Sequence, residues 1–459
     1  MSASNPPVYA GAHAAPASDV RTVMPPGPRL PKILQTAGFI FGGPRFLNAC
    51  RRRYGDAVTF STVFDEQFVI LFHPSLVKEL FQGSNAQLHA GEANALLGPV
   101  LGERSVLLLD GTEHLRHRRL MLPAFHGRQM ESYEQVILAA TDREIDSWPV
   151  GEPFALMPSM QSLTLSVIMR AVFGFERGAG EEELRLRLRT MIEPLAQPRG
   201  LLVMLAATRW RGNGSRAQRF EERRRAVDEI LYAEIARRRE DPELSSRDDV
   251  FSALVMAEDE RGERLSDREV RDELVTLLVA GHETTATGLA WAFDLLLHSD
   301  AALDRARADT DGGYLDAVVK EALRVRPVIP GIGRVVRGEP FRLGDYTIPD
   351  GVEINPSIRM IHRRADLYPK PSEFRPERFL GPDAPDTYTW VPFGGGTRRC
   401  LGASFALMEM RTVLRRVLER AALTPVDPDP ERVQFRAITL APKTGVRVKL
   451  ASRPASASV

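Results

Sequence analysis

Cysteine is nearly absent from this sequence. The 459 residues contain two cysteines, Cys50 and Cys400. Two cysteines exclude a disulfide framework and are typical of a protein kept in a reducing cytosol. A structural zinc site is excluded as well, because Cys400 has neither a second cysteine nor a close histidine to complete a ligand set. If a cysteine carries chemistry in this protein, it acts as a single thiolate.

Long apolar runs and net charge are also missing. Nowhere do about 18 apolar residues follow one another, the length at which a segment can cross a membrane. The pattern of a signal peptide, a basic region followed by an apolar run, is missing as well. The 61 Lys and Arg residues balance 60 Asp and Glu residues, and a formal charge of +1 argues against nucleic acid as a main partner. We therefore expect a soluble, cytoplasmic protein.

The hydrophobic pattern predicts a mainly α protein with small β-sheets. With 43% hydrophobic residues the chain can bury a large core. Helical periodicity dominates between about residues 110 and 300, whereas alternating strands are confined to the start and the last third of the chain. Residues 1–24, rich in Ala, Ser and Pro, predict a flexible tail, and residues 25–459 predict a single domain.

One cysteine lies in the most informative stretch, Val391 to Gly402 (VPFGGGTRRCLG). Its three consecutive glycines predict a tight loop, and Ala403 to Arg420 predict a helix directly after it. Cys400 would then lie beside a helix N-terminus, where the helix dipole, Arg398 and Arg399 favour a thiolate. Such a thiolate can give one axial bond to an iron held by a porphyrin. The alternative is an inert, buried cysteine in a strand-to-helix turn.

A second informative stretch lies inside a long predicted helix. This helix opens with a capping box, Ser266 and Glu269, and continues to about His298. Small residues recur on one of its faces, which predicts room for something flat; the face consists of Leu277, Ala280, Gly281, Thr284 and Gly288. His282 lies off this face and is interpreted as structural. The zinc-protease motif is excluded, because no second histidine follows four residues after His282.

The spacing Phe-x-x-Gly-x-Arg-x-Cys-x-Gly resembles the haem-binding loop of the cytochrome P450 family. It is met by Phe393, Gly396, Arg398, Cys400 and Gly402. The stretch Ala-Gly-x-Glu-Thr-Thr from Ala280 resembles the oxygen-activation segment of the same family, and the resemblance spans roughly residues 25 to 450 with four motifs in order. It implies the cytochrome P450 fold and haem b with Cys400 as the axial iron ligand.

The resemblance also assigns roles in proton transfer and haem binding. Thr284 would be the catalytic hydroxyl and Glu283 its acid partner, although a helix threonine often bonds the carbonyl four residues back, here that of Ala280. His114 and Arg118 share a helical face and would meet haem propionates together with Arg334 and Arg398. A solvated basic helix is the alternative for the first pair. Haem contacts are further implied for Ala280, Phe393 and Gly402.

Other residues receive structural or substrate roles from the resemblance. Glu321, Arg324 and Arg378 would form a buried charge network that pins the segment leading to Cys400. The substrate pocket would be lined by Leu277, Ala280, Gly281, Ile329, Gly331 and Ile438. The long connection over residues 84–108 would border it. The apolar stretch 197–210 is open to three interpretations: a lid, a membrane-touching patch or plain core.

These residues together predict a haem-thiolate monooxygenase that inserts one oxygen atom from O2 into a lipophilic molecule of fatty acid, terpenoid, steroid or polyketide type. The resemblance implies that electrons come from a ferredoxin or flavodoxin with its NAD(P)H-dependent reductase. The partner would dock on a basic surface formed by Arg116, Arg119, Arg399 and Arg415, and the enzyme would be a monomer. Two alternatives stay open: a peroxygenase or isomerase of the same fold, and a non-enzymatic haem carrier or sensor.

Overall fold

The computed structural model describes residues 23–125, 129–174, 179–196, 215–436 and 438–452. Within these ranges the α-helices are α1 (Lys32–Ala37), α2 (Gly43–Tyr54), α3 (Pro74–Gln82), α4 (Ala90–Ala93), α5 (Gly98–Leu101), α6 (Gly111–Met121), α7 (Gln129–Ser147), α8 (Leu156–Ala171), α9 (Ala179–Ala196), α10 (Ser215–Arg239), α11 (Val250–Met256), α12 (Asp267–Leu297), α13 (Asp300–Arg307), α14 (Gly313–Val325), α15 (Ile358–Ile361) and α16 (Ala403–Arg420).

The strands are short and belong to small sheets. They are β1 (Ala57–Phe60), β2 (Phe68–Leu71), β3 (Leu88–His89), β4 (Pro153–Ala155), β5 (Arg334–Val336), β6 (Phe341–Leu343), β7 (Tyr346–Ile348), β8 (Glu353–Pro356), β9 (Ala422–Pro425), β10 (Val433–Arg436), β11 (Thr439–Pro442) and β12 (Arg447–Ser452). One sheet has the order β1-β2-β8-β5-β3, in which β2 and β8 run parallel. Another has the order β4-β12-β9, and β6–β7 and β10–β11 are hairpins. The predicted class, mainly α with small sheets, is confirmed.

The longest helix, α12, crosses the middle of the hydrophobic core. Ser266 and Glu269 form the predicted capping box, in which each side chain bonds the backbone N–H of the other residue. From Thr285 to Leu297 every residue of α12 is buried. Helices α8, α14 and α16 pack around it. A helix buried on all sides in this way forms the central support of the fold.

Several predicted boundaries are confirmed and one region is corrected. The helix over Ala403–Arg420 is observed as predicted, and β1 and β2 pair antiparallel. The connection 84–108, predicted as a long loop, instead contains β3, α4 and α5. Asp110 stabilises α4 from outside, because its carboxylate accepts hydrogen bonds from the backbone N–H groups of Gly91 (2.8 Å) and Glu92 (3.0 Å). A contact between such distant residues has no local signal in the sequence.

Two predictions concern residues outside the described part of the chain. The stretch 197–210 lies outside it entirely, as do residues 1–22 of the predicted tail. The division into a tail of residues 1–24 and one domain of residues 25–459 stays a prediction. Among the helices of the described ranges, none combines the length and the apolar character needed to span a bilayer.

Candidate active site

The loop before Cys400 has a backbone that requires glycine. Gly394 and Gly396 have φ angles of +67° and +65°, in the left-handed region that side chains disfavour. A Cβ on Gly395 would lie 2.2 Å from the ring of Phe81, so the loop passes directly against α3. At its end the Cys400 N–H donates to the Phe393 carbonyl (2.9 Å). The predicted tight loop is therefore present, and the cysteine follows it directly.

The electrostatics of Cys400 differ from the expectation. Burial raises the pKa of its thiol, and the Gly402 N–H, Arg118 and Arg399 oppose this rise without cancelling it. The helix dipole alone does not produce a thiolate here, because the cost of desolvating the charge is larger. Arg398 does not help as predicted, since its guanidinium faces Asp110 and the 106–109 backbone. Coordination to a metal cation would remove the thiol proton outright.

Cys400 nevertheless presents accessible surface, although burial dominates its pKa. The sulfur therefore faces a space inside the protein. Cys50 contrasts with it, because Cys50 is 5% exposed and packs among Val58, Phe60 and Phe72 in a small cluster. Cys50 is therefore a packing residue.

Cationic and hydrogen-bonding side chains gather beside the cysteine loop. His114 and Arg334 are buried and Arg398 is half-buried, and the charge of Arg398 lowers the pKa values of both His114 and Arg334. Burial, followed by the charges of Arg398, Arg118 and Arg334, lowers the pKa of His114 to about 3, so its imidazole is neutral. The pKa values of Arg334 and Arg398 are lowered to about 10, mainly by burial. The negative charge of Asp110 opposes the lowering of the pKa values of Arg334 and Arg398.

Asn85 and Asp110 complete this group and were missed by the sequence analysis. The Asn85 amide nitrogen donates to the Gly111 carbonyl (2.8 Å) and lies 3.4 Å from His114 Nδ1. His114 Nδ1 then acts as the acceptor, which leaves the ring proton on Nε2 as a free donor. Asp110 accepts from Arg398 at 2.5 Å. Neither residue belongs to a recognisable sequence motif, because each is identified only by its hydrogen bonds to residues on other elements.

The predicted face of α12 has accessible surface over only part of its length. Leu277, Ala280, Gly281 and Thr284 are exposed or half-buried, in contrast to the buried half of the helix that follows. Helix packing also explains why glycine occupies positions 281 and 288. A Cβ on Gly281 would lie 2.9 Å from Ile168, and one on Gly288 would lie 3.1 Å from Met410. The expectation that both glycines leave open room is thus corrected: they allow close packing of α8 and α16.

Thr284 and Glu283 are directed to different partners. The Thr284 hydroxyl donates to the Ala280 carbonyl, which is the alternative considered for a helix threonine. Glu283 accepts from the Gln161 amide (2.7 Å) and lies 3.5 Å from Arg436. Burial raises the pKa of Glu283, and Arg436 and Gln161 oppose this rise. The acid is therefore held between α8 and β10, and sequence spacing gave no sign of either partner.

His282 has the structural position predicted for it. Its Nδ1 is 2.9 Å from the Thr164 hydroxyl on α8. Burial, with the charges of Arg185 and Arg436, lowers the pKa of His282 to about 4. The ring is a neutral packing element between two helices.

Glu321 and Arg324 form a fully buried ion pair on α14. The guanidinium donates to the carboxylate at 2.6 and 2.8 Å, and Arg378 adds a contact at 3.3 Å. Arg324 also donates to the backbone carbonyls of His362 (2.8 Å) and Pro371 (2.9 Å). His362, missed by the sequence analysis, accepts from the Val391 N–H (3.0 Å) through Nε2. The network therefore reaches the residue that opens the cysteine loop.

The segment before β5 lies against the same loop. A Cβ on Gly394 would be 2.9 Å from Ile332, so this segment touches the glycines before Cys400. Ile329 and Gly331 are half-buried, and Ile438 in the β10–β11 turn is 41% exposed. Their substrate contacts, like those of Gly281, stay predictions.

The four arginines proposed for partner docking differ in availability. Arg116 is bonded to Asp259 (2.7 Å) and Glu269 (3.4 Å), and Arg119 is paired with Glu260 (3.3 Å). Arg399 is exposed and lines a groove with Lys320, Trp390 and Phe393. Arg415 lies against Gly312. Arg116 is therefore the weakest candidate, since its charge is already balanced within the protein.

These residues fit a haem. Within the described part of the chain, the cluster of Arg118, Arg334, Arg398 and the His114 N–H includes one opposing carboxylate, Asp110, and so suits a ligand with two carboxylates. The glycine loop allows close approach, and the sulfur faces an interior space. Fold and site define a protein that holds a porphyrin iron through one cysteine thiolate.

Comparisons with known proteins agree with this class. A sequence profile described as "Cytochrome P450" matches residues 24–449. The protein named cytochrome P450 135B1 of Mycobacterium bovis is 40% identical over 446 residues, covering 95% of this chain and 93% of its own. The protein named cytochrome P450 137 of Mycobacterium tuberculosis is 41% identical, with coverages of 94% and 91%. The chain belongs to the cytochrome P450 family.

The fold is also shared with a solved structure. The retinoic-acid-bound cyanobacterial CYP120A1 matches with a TM-score of 0.81 at 24% identity, covering 94% of this chain and 100% of that one. The predicted fold, the haem cofactor with an axial cysteine thiolate and the assignment as a P450 monooxygenase are thereby confirmed.

Proposed function

We propose that this P450 inserts one oxygen atom from O2 into a lipophilic small molecule, with Cys400 as the axial ligand of its haem. The observation that carries the assignment is the loop with Gly394 and Gly396 at positive φ, which leads to Cys400, a residue that keeps accessible surface although burial raises the pKa of its thiol. Cys50 is the other cysteine of the sequence, and its packing in a separate cluster supports Cys400 as the ligand.

Haem, when bound, supplies the reduction of dioxygen and the transfer of one oxygen atom to the substrate, and thiolate donation promotes O–O cleavage. Residues of this chain would hold the cofactor. Arg118, Arg334, Arg398 and the His114 Nε2–H would bind the propionates. Phe393, Gly402 and Ala280 would contact the haem.

Thr284 and Glu283 would manage the protons that oxygen cleavage needs. The Thr284 hydroxyl can leave the Ala280 carbonyl by rotating about χ1 and donate toward the interior space beside α12. Glu283 can resupply that hydroxyl after leaving Gln161 and Arg436, because burial raises the pKa of its carboxyl and so favours the form that holds a proton. The presence of both residues favours dioxygen over the peroxygenase or isomerase alternative.

Electrons would come from an external protein, with a ferredoxin or flavodoxin and its NAD(P)H-dependent reductase as our proposal. The exposed Arg399 and the groove it lines with Lys320 support docking near Cys400. Acidic surfaces would be attracted there by charge. A monomeric state and a cytoplasmic location belong to the same proposal, and the two free thiols are compatible with a reducing compartment.

The substrate is proposed to be lipophilic because four apolar residues of the predicted pocket have accessible surface: Leu277, Ala280, Ile329 and Ile438. Fatty acids, terpenoids, steroids and polyketides all suit such residues. Screening a lipid library for displacement of the iron-bound water, followed by absorption spectroscopy, would identify the class. A library in which only polar compounds shift the spectrum would contradict a lipophilic pocket.

Thr284→Ala tests the proton assignment. Substrate binding should be preserved, because alanine removes only the hydroxyl and methyl groups on Cβ. Electrons should be diverted from product to hydrogen peroxide, since the hydroxyl that delivers protons is gone. Product and peroxide formed per NAD(P)H consumed measure this coupling, and we expect product yield to fall roughly tenfold or more.

Thr164→Ala is the matched control, because Thr164 also bonds a backbone carbonyl of this helix region, that of His282 (3.1 Å), yet lies on α8. It should leave coupling close to that of the unmodified enzyme. Unchanged coupling in Thr284→Ala would contradict the relay.

A further inference from the structure

A second histidine of α6, His117, is completely buried against α12. Its Nδ1 lies 2.7 Å from Glu273 Oε1, and its Nε2 lies 3.1 Å from Glu269 Oε1. Because Glu269 and Glu273 are four residues apart, their carboxylates follow one face of α12. A single imidazole thus bridges two successive turns of the longest helix, close to its capped N-terminus.

This bridge sits between the residues proposed to bind haem propionates. His117 directly precedes Arg118 and follows His114 by three residues on the same helix. A ring bonded at both nitrogens restricts the rotation of α6 about its axis and its sliding along α12. A rotation by one residue, about 100°, would turn His114 and Arg118 away from Arg398. The contact therefore controls where the propionate-binding face points.

The geometry favours a protonated imidazole, because a carboxylate faces each of its two nitrogens. Burial alone would lower the pKa of His117, but hydrogen bonds and charge from Glu273 and then Glu269 outweigh it and raise the pKa. Burial raises the pKa of Glu273 to about 7, against the effect of His117. Both ring nitrogens can donate only when the imidazole is protonated. The other charged groups near the bridge are Glu113 and Arg116 on α6, Asp272 on α12, and Asp259, which pairs with Arg116.

A bound cation is the competing explanation for this cluster. Ligand atoms of Glu113, His117 and Glu269 lie within 4.8 Å of one another. However, both nitrogens of His117 already have carboxylate partners, and Arg116 also contacts Glu269 (3.4 Å). The carboxylates that face His117 therefore already have partners within the protein, which favours a hydrogen-bonded bridge over a metal site.

We propose that His117 is a positioning residue for the cofactor: its ring, bonded at both nitrogens, holds α6 on α12 in the register that directs His114 and Arg118 to the haem propionates. The proposal rests on the propionate roles proposed above. Glu269 and Glu273 are the carboxylates that hold the ring.

The proposal predicts a pH dependence with a definite sign. The pKa of His117 is raised in the folded protein, so the bridge contributes fully below the ordinary histidine value of about 6.5. Its contribution is lost as the pH rises through the raised value. Retention of haem should therefore weaken toward alkaline pH.

The test measures haem transfer from the ferric enzyme to excess apomyoglobin, which needs no catalytic turnover. His117→Leu should release haem about tenfold faster, because it removes two hydrogen bonds to charged groups. In the same variant, the rate of haem release should no longer depend on pH between mildly acidic and mildly alkaline conditions. Glu273→Gln preserves size and folding better, and it should give the same two changes in a weaker form.

His298→Leu is the matched control at the opposite end of α12. Both ring nitrogens of His298 are also bonded, to the carbonyls of Asp294 (2.7 Å) and Asp427 (3.0 Å), but His298 caps the C-terminus of α12, far along the helix from Ala280. This variant should keep the haem release rate and its pH dependence.

Arg118→Leu separates failure of the inference from failure of the proposed propionate site. If Arg118→Leu accelerates haem release while His117→Leu and Glu273→Gln do not, the positioning role of His117 is wrong and the propionate assignment stands. If Arg118→Leu has no effect either, the propionate assignment is wrong and the inference falls with it.

Discussion

Replacing Cys400 with histidine should abolish the strongly red-shifted Soret band that the ferrous carbon monoxide complex of this P450 is expected to show. The band arises from thiolate donation to the iron, and an imidazole ligand does not donate in the same way. Histidine can still bind iron, so the variant can keep a pigment while losing the signature. Absorption difference spectra of the reduced protein with and without carbon monoxide measure the change.

Cys50→Ala is the matched control, because Cys50 is the other cysteine of the sequence and packs in a separate apolar cluster. Its spectrum should equal that of the unmodified protein, apart from a modest loss of stability. The ligand assignment is overturned if the red-shifted band survives in Cys400→His or disappears in Cys50→Ala. A protein that remains colourless after expression with hemin would contradict the haem site altogether.

The cysteine loop was predictable because its signals are local. Consecutive glycines, a cysteine and an apolar helical period follow one another within thirty residues, and Gly394 and Gly396 indeed have positive φ. The thiol pKa was not predictable. The helix dipole and the nearby arginines suggested a lowered value, but burial raises it, and burial depends on packing that the local sequence does not contain.

Contacts between distant residues account for the other differences. Arg436 lies 153 positions after Glu283, and Asn85 lies 29 positions before His114, yet each contacts its partner. Single-sequence periodicity carries no information on such pairs. The glycines of α12 show the same limit, since Gly281 and Gly288 looked like space for a ligand and instead admit Ile168 and Met410 of neighbouring helices.

The sequence spacing identified the Glu321–Arg324 pair, but its contribution to stability depends on burial, which the structure shows. Both side chains have no solvent exposure, and Arg324 donates to three backbone carbonyls of the segment that leads to the cysteine loop; these belong to His362, Pro371 and Glu373. An exposed pair at the same spacing would contribute a few tenths of a kcal/mol. The buried Glu321–Arg324 pair instead fixes a segment that has little regular secondary structure.

Glu321→Gln should therefore destabilise the protein severely. Glutamine matches the shape but leaves the charge of Arg324 buried without its counter-ion, a change that costs about 3 to 5 kcal/mol. Glu419→Gln is the matched control, because Glu419 pairs with Arg416 at the same three-residue spacing on the surface of α16 (3.2 Å). Urea unfolding followed by circular dichroism should give a much lower midpoint for Glu321→Gln and an almost unchanged one for Glu419→Gln. Equal midpoints would show that this network does not hold the segment before Cys400, and the red-shifted carbon monoxide band of the folded variant would then be retained as well.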